Sequence, residues 1–588
     1  MTVEGTDWLG SLRQLGIDQV IVLDFEFGNT QGEKPVPRCM VAKFLPSNGI
    51  VRQWLDSESK PEPLEAGPNT LWVAYYASAE IGCAIALGWP QPIHLLDLYV
   101  EFRNATNGLE LPCGAGLLGA AAYFGLPCID ATDKDAMRTL ALRGGPYSIE
   151  EQQSLLCYCE SDVLTTLRLL QAMGSRIDWP RALFRGAYMA AAAQIESCGV
   201  PIDVDAHDIL MSNWDAIQSD LISEVDKQYG VFDGHTFKAE SFKRYLSVNN
   251  IQWPLTPKNN LMLDANTFSD MSQAHPQLVP LKQLRQSLGK LRKARLAIGQ
   301  DGRNRTILSA FRSITGRNQP KSSESIFGRP SWERGLIKPQ IGSALIIADY
   351  EQQEWGIAAA LSGDEAMINA YTTGDPYLAF AIQAGAAPSG ATKETHGLVR
   401  DQFKACALAV QYGMGAQQFA YRIGQSVGRA KFLLKMHRDL YRTFWEWSDA
   451  AVNFASLNLR IHTTLGWRYH VGPNTKRQTL MNFPMQANGA EIMRLACING
   501  VRSGLRICMP IHDAFLVEAT IADRNEMVEL TNAVMADASA QILGGFVLRT
   551  EVKVIEYPNR YVDKRGSQMW ETVWKIIGRG EQCAGATG

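Results

Sequence analysis

Two short, almost uninterrupted apolar runs, Gln19–Leu23 (QVIVL) and Leu71–Tyr76 (LWVAYY), predict strands buried on both faces. Each runs into polar chemistry: Asp24-Phe25-Glu26 after the first, Ala77-Ser78-Ala79-Glu80 after the second. Ser148–Leu170 reads as a helix, with Ser148 as N-cap and Glu151 three residues on. The Gly and Pro of Gly174–Pro180 mark a boundary, so residues 1–178 are expected to form an α/β domain. Helical and strand patterns alternate from there to the end. Leu281, Leu284, Leu288 and Leu291 recur at helical spacing with Lys282, Arg285, Lys290 and Arg292 between them, which predicts an amphipathic helix. Two more apolar runs, Ala344–Ala348 (ALIIA) and Ile507–Ile511 (ICMPI), lead into Asp349 and into His512-Asp513. Phe515–Glu518 resumes the second run, so Asp513 is expected at the turn of a hairpin.

Length and composition change this picture little. The 588 residues correspond to about three to five domain-sized units, and 46% apolar with 20% charged residues describes an ordinary globular chain. No run of about 18 apolar residues and no signal peptide is present, so no membrane partner is expected. Eleven scattered cysteines, among them a lone Cys157-x-Cys159, fit a reducing, cytoplasmic setting and make only a weak zinc signal. Net charge is −3, yet Lys282–Arg317 holds ten Lys/Arg against Asp301 alone. Such a density suits contacts to phosphates and is read as a nucleic-acid-binding patch.

On a strand, residues two apart share a face, so Asp24 and Glu26 can reach one metal ion. On a helix, residues four apart share a face, which pairs Tyr158 with Asp162. The set Asp24, Glu26, Glu80, Asp162 and Tyr158 resembles the DEDD-type 3′–5′ exonucleases with a tyrosine in the third motif. The resemblance implies a ribonuclease H-like domain in which the four carboxylates hold two Mg²⁺ ions about 4 Å apart. Tyr158 would be catalytic, orienting the attacking water. The second motif of that family usually carries Asp. Glu80 is the expected ligand here, with Asp97 as the alternative.

The second half carries a richer set. Arg400, Lys404, Leu408 and Tyr412 repeat every four residues, a cationic strip that suits a triphosphate. With Asp349-Tyr350 through Glu354 before it and His512-Asp513 after it, the order resembles motifs A, B and C of the family A DNA polymerases. Thr315-Gly316-Arg317, Asn482-x-Pro484-x-Gln486 and the phrase Ala193–Asp203 match the same family, and the basic helix 281–295 resembles its thumb. The resemblance covers essentially the whole chain.

It implies a multidomain fold of mixed α/β and α+β class: an exonuclease domain over 1–178, with a mixed central sheet, then a right-hand polymerase over 179–588. The thumb would be about 204–300, the palm about 301–371 and 480–588, and the fingers about 372–479. Asp349 and Asp513 would be catalytic carboxylates holding two Mg²⁺, with Mn²⁺ able to substitute. Lys404, also catalytic, and Arg400 would neutralise phosphates. Tyr412, Leu408, Tyr377 and Glu354 would shape the dNTP site, with Glu354 excluding a ribose 2′-OH. Arg317, Gln486, Asn482 and His512 would contact the primer–template, and Arg285, Lys290, Arg292 and Lys293 would grip DNA.

Departures from the family pattern are Glu351 for Ser, Gly356 for Arg, Ala514 for the second acid of motif C, Leu408 for an aromatic residue, and Asp375-Pro376-Tyr377 ahead of motif B. They resemble a divergent, phage-type branch. Because the proofreading motif begins at residue 24, no 5′-nuclease domain and no nick translation are expected. The expectation is a monomeric, template-directed polymerase with proofreading that replicates a phage genome in the host cytoplasm. DNA primer–template and dNTPs are its partners; a helicase or single-strand-binding protein would be further ones, though no residue identifies either. The competing readings are an exonuclease whose C-terminal half only grips DNA and an inactive replisome scaffold.

Overall fold

In this computed structural model the described residues are 8–28, 30–55, 61–127, 131–256, 258–290 and 296–585. The N-terminal sheet has the order β3-β2-β1-β4-β5, built from β1 (Gln19–Gly28), β2 (Val36–Leu45), β3 (Ile50–Trp54), β4 (Thr70–Ala74) and β5 (His94–Asp97). β1 pairs antiparallel with β2 and parallel with β4, which in turn runs parallel to β5, so the sheet is mixed as expected. Alternation along β1 splits the core. Ile21, Leu23 and Phe25 face one layer, whereas Val20 and Val22 face the other. The pairing of β1 with β4 ends at Val22–Val73, but β1 continues to Gly28. The strand therefore runs through Asp24 and Glu26 rather than ending before them. Its apolar run stops where this half of the strand has lost one neighbour, and the carboxylates of Asp24 and Glu26 are only half-buried.

Three helices pack around this sheet. α1 (Ala77–Ala86) follows β4, α2 (Ile149–Met173) crosses β1 and β2, and α3 (Trp179–Cys198) packs on β5 and α1. The Ser148–Glu151 capping box is present at the start of α2. α3 belongs to both halves of the molecule: Trp179 and Ala182 sit in the outer core layer, and Tyr188 to Ile195 sit in the layer shared with the C-terminal half. Packing thus continues across the expected boundary at residue 178.

The C-terminal half is centred on an antiparallel sheet of β6 (Ser343–Tyr350), β7 (Arg506–Ile511), β8 (Ala514–Thr520) and β9 (Thr550–Glu556), ordered β7-β8-β6-β9. The helix α4 (Val279–Lys290) buries Leu281 and Leu284 and packs on the helix Trp214–Asp226. α5 (Lys393–Gln411) and α6 (Arg477–Arg502) flank the sheet's open end. The final helix α7 spans Ser567–Gly585. Met569, Val573, Ile576 and Ile577, spaced four, three and one apart, bury a stripe against the helix Trp214–Asp226, α4 and the turn Ser331–Leu336.

The basic run does not form one surface. Arg303 is buried, with Nη2 2.9 Å from Glu518 Oε2, and Arg305 is buried against Asp301. Arg285 lies between the rings of Phe237 and Phe268, at 4.4 and 4.1 Å from their centroids, and donates to the Leu263 carbonyl. This is a cation–π clamp, which suits a guanidinium because it is weakly hydrated and stacks well. Lys290 ends α4; its side chain, Arg292 and Lys293 lie outside the described residues.

Candidate functional sites

The first site lies where β1 outruns β4. Asp24 and Glu26 share a face of the strand, half-buried, on either side of the buried Phe25. Between them the Phe25 amide donates to Glu80 Oε2 at 2.8 Å, which seats Glu80 of α1 against the strand. Burial raises the Glu80 carboxyl well above the usual carboxylate range, and Asp24 and Glu26 beside it raise it further. Tyr158 and Asp162 come from consecutive turns of α2, with a hydrogen bond between them. Burial, then Asp162, Glu26 and Asp24, push the phenol upward. Cys159, next to Tyr158, donates through Sγ to the Asp24 carbonyl at 3.1 Å and pins α2 to β1. The five residues read from sequence therefore converge.

Asp97 has another task. Its carboxylate accepts from the amides of Tyr76 (3.0 Å), Ala77 (2.8 Å), Tyr99 (2.8 Å) and Val100 (3.4 Å). It caps the helix Leu98–Thr106 and holds the turn that launches α1, where Tyr76 adopts a left-handed φ of 71°. Burial lifts its carboxyl to about 7 against these four donors. Asp97 thus positions the helix that carries Glu80.

The second site is a cavity of about 770 Å³ at the open end of the C-terminal sheet. Asp349 enters it from β6 and Asp513 from the β7–β8 turn, where His512 has a left-handed φ of 53°. The Tyr350 amide donates to the Asp513 carbonyl at 3.0 Å, locking turn to strand. Asp349 stands in register with Ala514 of β8 on one side and Glu551 of β9 on the other. Desolvation in the cavity, then Asp513 and Glu551, raise the Asp349 carboxyl to about 7; desolvation also raises Asp513. Both acid clusters offer hard oxygen donors whose mutual repulsion a divalent cation would relieve, so the residues fit Mg²⁺.

Opposite the acids stands α5. Arg400, Lys404 and Leu408 line the cavity, followed by its C-cap Tyr412. Arg400 is held from behind: Nε donates to Asp375 Oδ2 and Nη1 to Asp401. Asp375 is also the N-cap of the helix Pro376–Gln383, which supplies Tyr377. The Tyr377 ring lies 5.5 Å from the Arg400 guanidinium and 5.9 Å from Lys404 Nζ. Desolvation, and then Arg400, lower the Lys404 ammonium. Glu354 is bracketed by Arg317 Nη2 at 3.6 Å and by the Tyr412 hydroxyl, which donates at 3.3 Å.

Arg317 and His512 also line an adjoining cavity of about 480 Å³ with Asn318, Arg494 and Tyr188. Asn482 and Gln486 stay half-buried, one turn apart on α6, among buried neighbours. Sequence reasoning missed Lys393, Arg549 and Glu551, all in the larger cavity wall. Lys393 precedes a kink at His396 (φ −129°), so it reaches the cavity wall although the regular four-residue repeat from Arg400 does not extend to it. Arg549 was not legible in sequence. It donates to the Gly374 carbonyl at 2.8 Å and to Gln352 Oε1 at 3.2 Å, contacts that only the tertiary fold creates. The Gly356 position is filled by its neighbours: a Cβ there would meet Leu548 Cδ2 at 2.4 Å.

Residues 320–555 match the family model described as DNA polymerase family A. The chain is 23% identical over 383 residues to DNA polymerase I of Aquifex aeolicus, covering 62% of this chain and 65% of that protein. It is 28% identical over 226 residues to DNA polymerase I of Caldicellulosiruptor bescii, covering 35% and 26%. In both cases it spans less than two thirds of the relative's length. Among solved structures it is similar to the polymerase domain of Pol1 from M. smegmatis, in complex with DNA primer-template and dNTP. That likeness has a TM-score of 0.68 and 17% identity, and covers 96% of this chain and 99% of the other. The chain has the fold of a family A polymerase domain.

Proposed function

We propose that this chain, with its family A polymerase fold, is a template-directed DNA polymerase that also removes nucleotides from primer 3′ ends. One observation carries the reading: a single cavity sets Asp349 and Asp513 against the cationic face formed by Lys393, Arg400 and Lys404. A protein that only gripped DNA would have no use for that opposition. It suits a ligand with a polyphosphate at one end and a metal-dependent reaction at the other.

In this account Asp349 and Asp513 hold the divalent ions. When bound, these lower the pKa of the primer 3′-OH and neutralise charge on the leaving pyrophosphate. Lys404 and Arg400 neutralise the phosphates, with Lys404 also donating a proton to pyrophosphate. Its desolvation supports that role, because a lowered ammonium pKa eases proton release. The Tyr377 ring backs both cations. Leu408 and Tyr412 bound the base pair, and Glu354 excludes a 2′-OH. Arg317, His512, Asn482 and Gln486 meet the primer–template.

At the other site Asp24, Glu26, Glu80 and Asp162 hold the hydrolytic ions, and Tyr158 orients water. Its raised pKa supports this, since the phenol keeps its proton and can donate. We read the departures at Glu351, Gly356, Ala514, Leu408 and Tyr377 as those of a phage-type branch acting as a monomer in genome replication. A 5′-labelled primer–template with Mg²⁺ tests the function. Extension with dNTPs and shortening without them are expected; shortening in both conditions would leave only the nuclease.

A further inference from the structure

We propose that Cys198 and Cys508 form a reversible, peroxide-responsive dithiol, a redox-modification site remote from both carboxylate clusters. Cys198 is the last residue of α3, and Cys508 is the extra residue of the β7 bulge between Ile507 and Met509. The bulge leaves Cys508 out of the ladder and turned toward α3. The two sulfurs stand 3.9 Å apart, and both are free thiols. Cys508 is buried, while Cys198 keeps partial access to solvent. That asymmetry suits a pair in which one thiol meets the oxidant and the other resolves it.

Arg303 completes the site. Its Nη2 lies 3.6 Å from Cys198 Sγ, 3.5 Å from Cys508 Sγ and 2.9 Å from Glu518 Oε2. Its Nε and Nη2 also donate to the carbonyls of Cys198 and Gly199, at 2.6 and 2.9 Å, so the guanidinium is fixed. The two thiols and Glu518 lie close enough to hold a metal ion, but Arg303 already fills the cation's place. A fixed cation between two sulfurs stabilises a thiolate instead. The hydrogen bond shared with Cys508, with Arg303 and Arg506 beside it, outweighs burial and brings the Cys198 thiol to about 6.

The chemistry balances with hydrogen peroxide as oxidant. The Cys198 thiolate attacks one peroxide oxygen, the O–O bond breaks, and hydroxide leaves to become water. Cys198 is then a sulfenic acid. The Cys508 sulfur attacks the Cys198 sulfur, the S–S bond forms, the S–O bond breaks, and the second oxygen leaves as water with the Cys508 proton. Two thiols lose two electrons to one peroxide. The bond would tie the end of α3 to the strand that leads into Asp513.

The test is peroxide treatment of the intact 588-residue chain, followed by alkylation and non-reducing peptide mapping. A peptide pair joined through Cys198 and Cys508, released by dithiothreitol, is expected. In Cys508→Ser the pair should vanish, and Cys198 should carry one oxygen that dimedone traps. The exposed Cys113 and Cys157 serve as internal references. If a peroxide dose that oxidises those two left Cys198 and Cys508 both alkylated, the proposal would be overturned. Because wild-type protein suffices for that comparison, the result does not depend on how the variant folds.

Discussion

Arg317 Nη2 stands 3.6 Å from Glu354 Oε1, and this pair joins the larger cavity of the C-terminal half to its neighbour. Burial raises the Glu354 carboxyl, while Arg317 and the Tyr412 hydroxyl draw it back. A ribose 2′-OH at Glu354 would have to displace one of these partners or leave the carboxylate poorly solvated, at about 1–3 kcal/mol. Glu354→Ala should therefore raise ATP insertion relative to dATP by roughly ten- to a hundred-fold. Arg317→Ala should weaken primer–template use and also loosen the sugar choice, because Glu354 loses its anchor. Single-nucleotide insertion kinetics read both effects. An unchanged dATP/ATP ratio in Glu354→Ala would remove Glu354 from sugar selection.

Glu80 and Asp97 make a paired test of the proposed nuclease. Glu80→Gln keeps an acceptor for the Phe25 amide but loses the charge beside Asp24 and Glu26. Primer degradation should fall by several orders of magnitude with little loss of stability. Asp97→Ala removes the acceptor for four amides, so it should cost about 2 kcal/mol in chemical denaturation, as lost helix caps do. Nuclease activity in that variant should fall only partly. The reverse ranking, with Asp97→Ala the deader nuclease, would exchange their roles.

Separation of the two centres predicts that Asp24→Ala with Glu26→Ala abolishes primer shortening and leaves extension within about two-fold of wild type. In the proposed scheme the carboxylates on β1 would hold metals that the C-terminal sheet does not share. Gel assays with and without dNTPs measure both activities in one experiment, and a folded double mutant that lost extension too would merge the sites.

Glu196 sets a pH dependence of stability. Burial raises its carboxyl to about 7, despite bonds from the Leu308 amide at 2.7 Å and from Ser78. The folded state keeps that proton up to about pH 7, whereas the unfolded chain releases it near the usual 4.3. The native state therefore binds more protons within this window, and stability falls as pH rises through it, by on the order of 3 kcal/mol. Glu196→Gln, titrated by denaturant unfolding from pH 4 to 8, should flatten the slope. An unaltered slope would exclude Glu196 as its source.

Local signals carried the elements that hold the chemistry. The capping box at Ser148–Glu151, the apolar runs before Asp24 and Asp349, and the four-residue repeat of α5 each depend on near neighbours in sequence. What eluded the reading depends on long-range packing. The stacking of Arg285 between Phe237 and Phe268 leaves no mark in the local sequence, and Arg303 meets Glu518 only once the C-terminal sheet forms. Asp97 could be told from Glu80 only by the amides it caps. α7 has the apolar spacing of any amphipathic helix, and the surface it would cover was not legible.

The central claim is that Asp349 and Asp513 perform nucleotide addition in the cavity they share with Lys404. Single-turnover insertion of one dNTP into a labelled primer–template tests it most directly, comparing Asp349→Asn and Asp513→Asn with the parent protein at equal DNA occupancy. Because electrostatic stabilisation dominates such chemistry, each variant should lose roughly a thousand-fold or more in rate while DNA affinity stays within a few-fold. Insertion at near-parental rates by either folded variant would contradict the account.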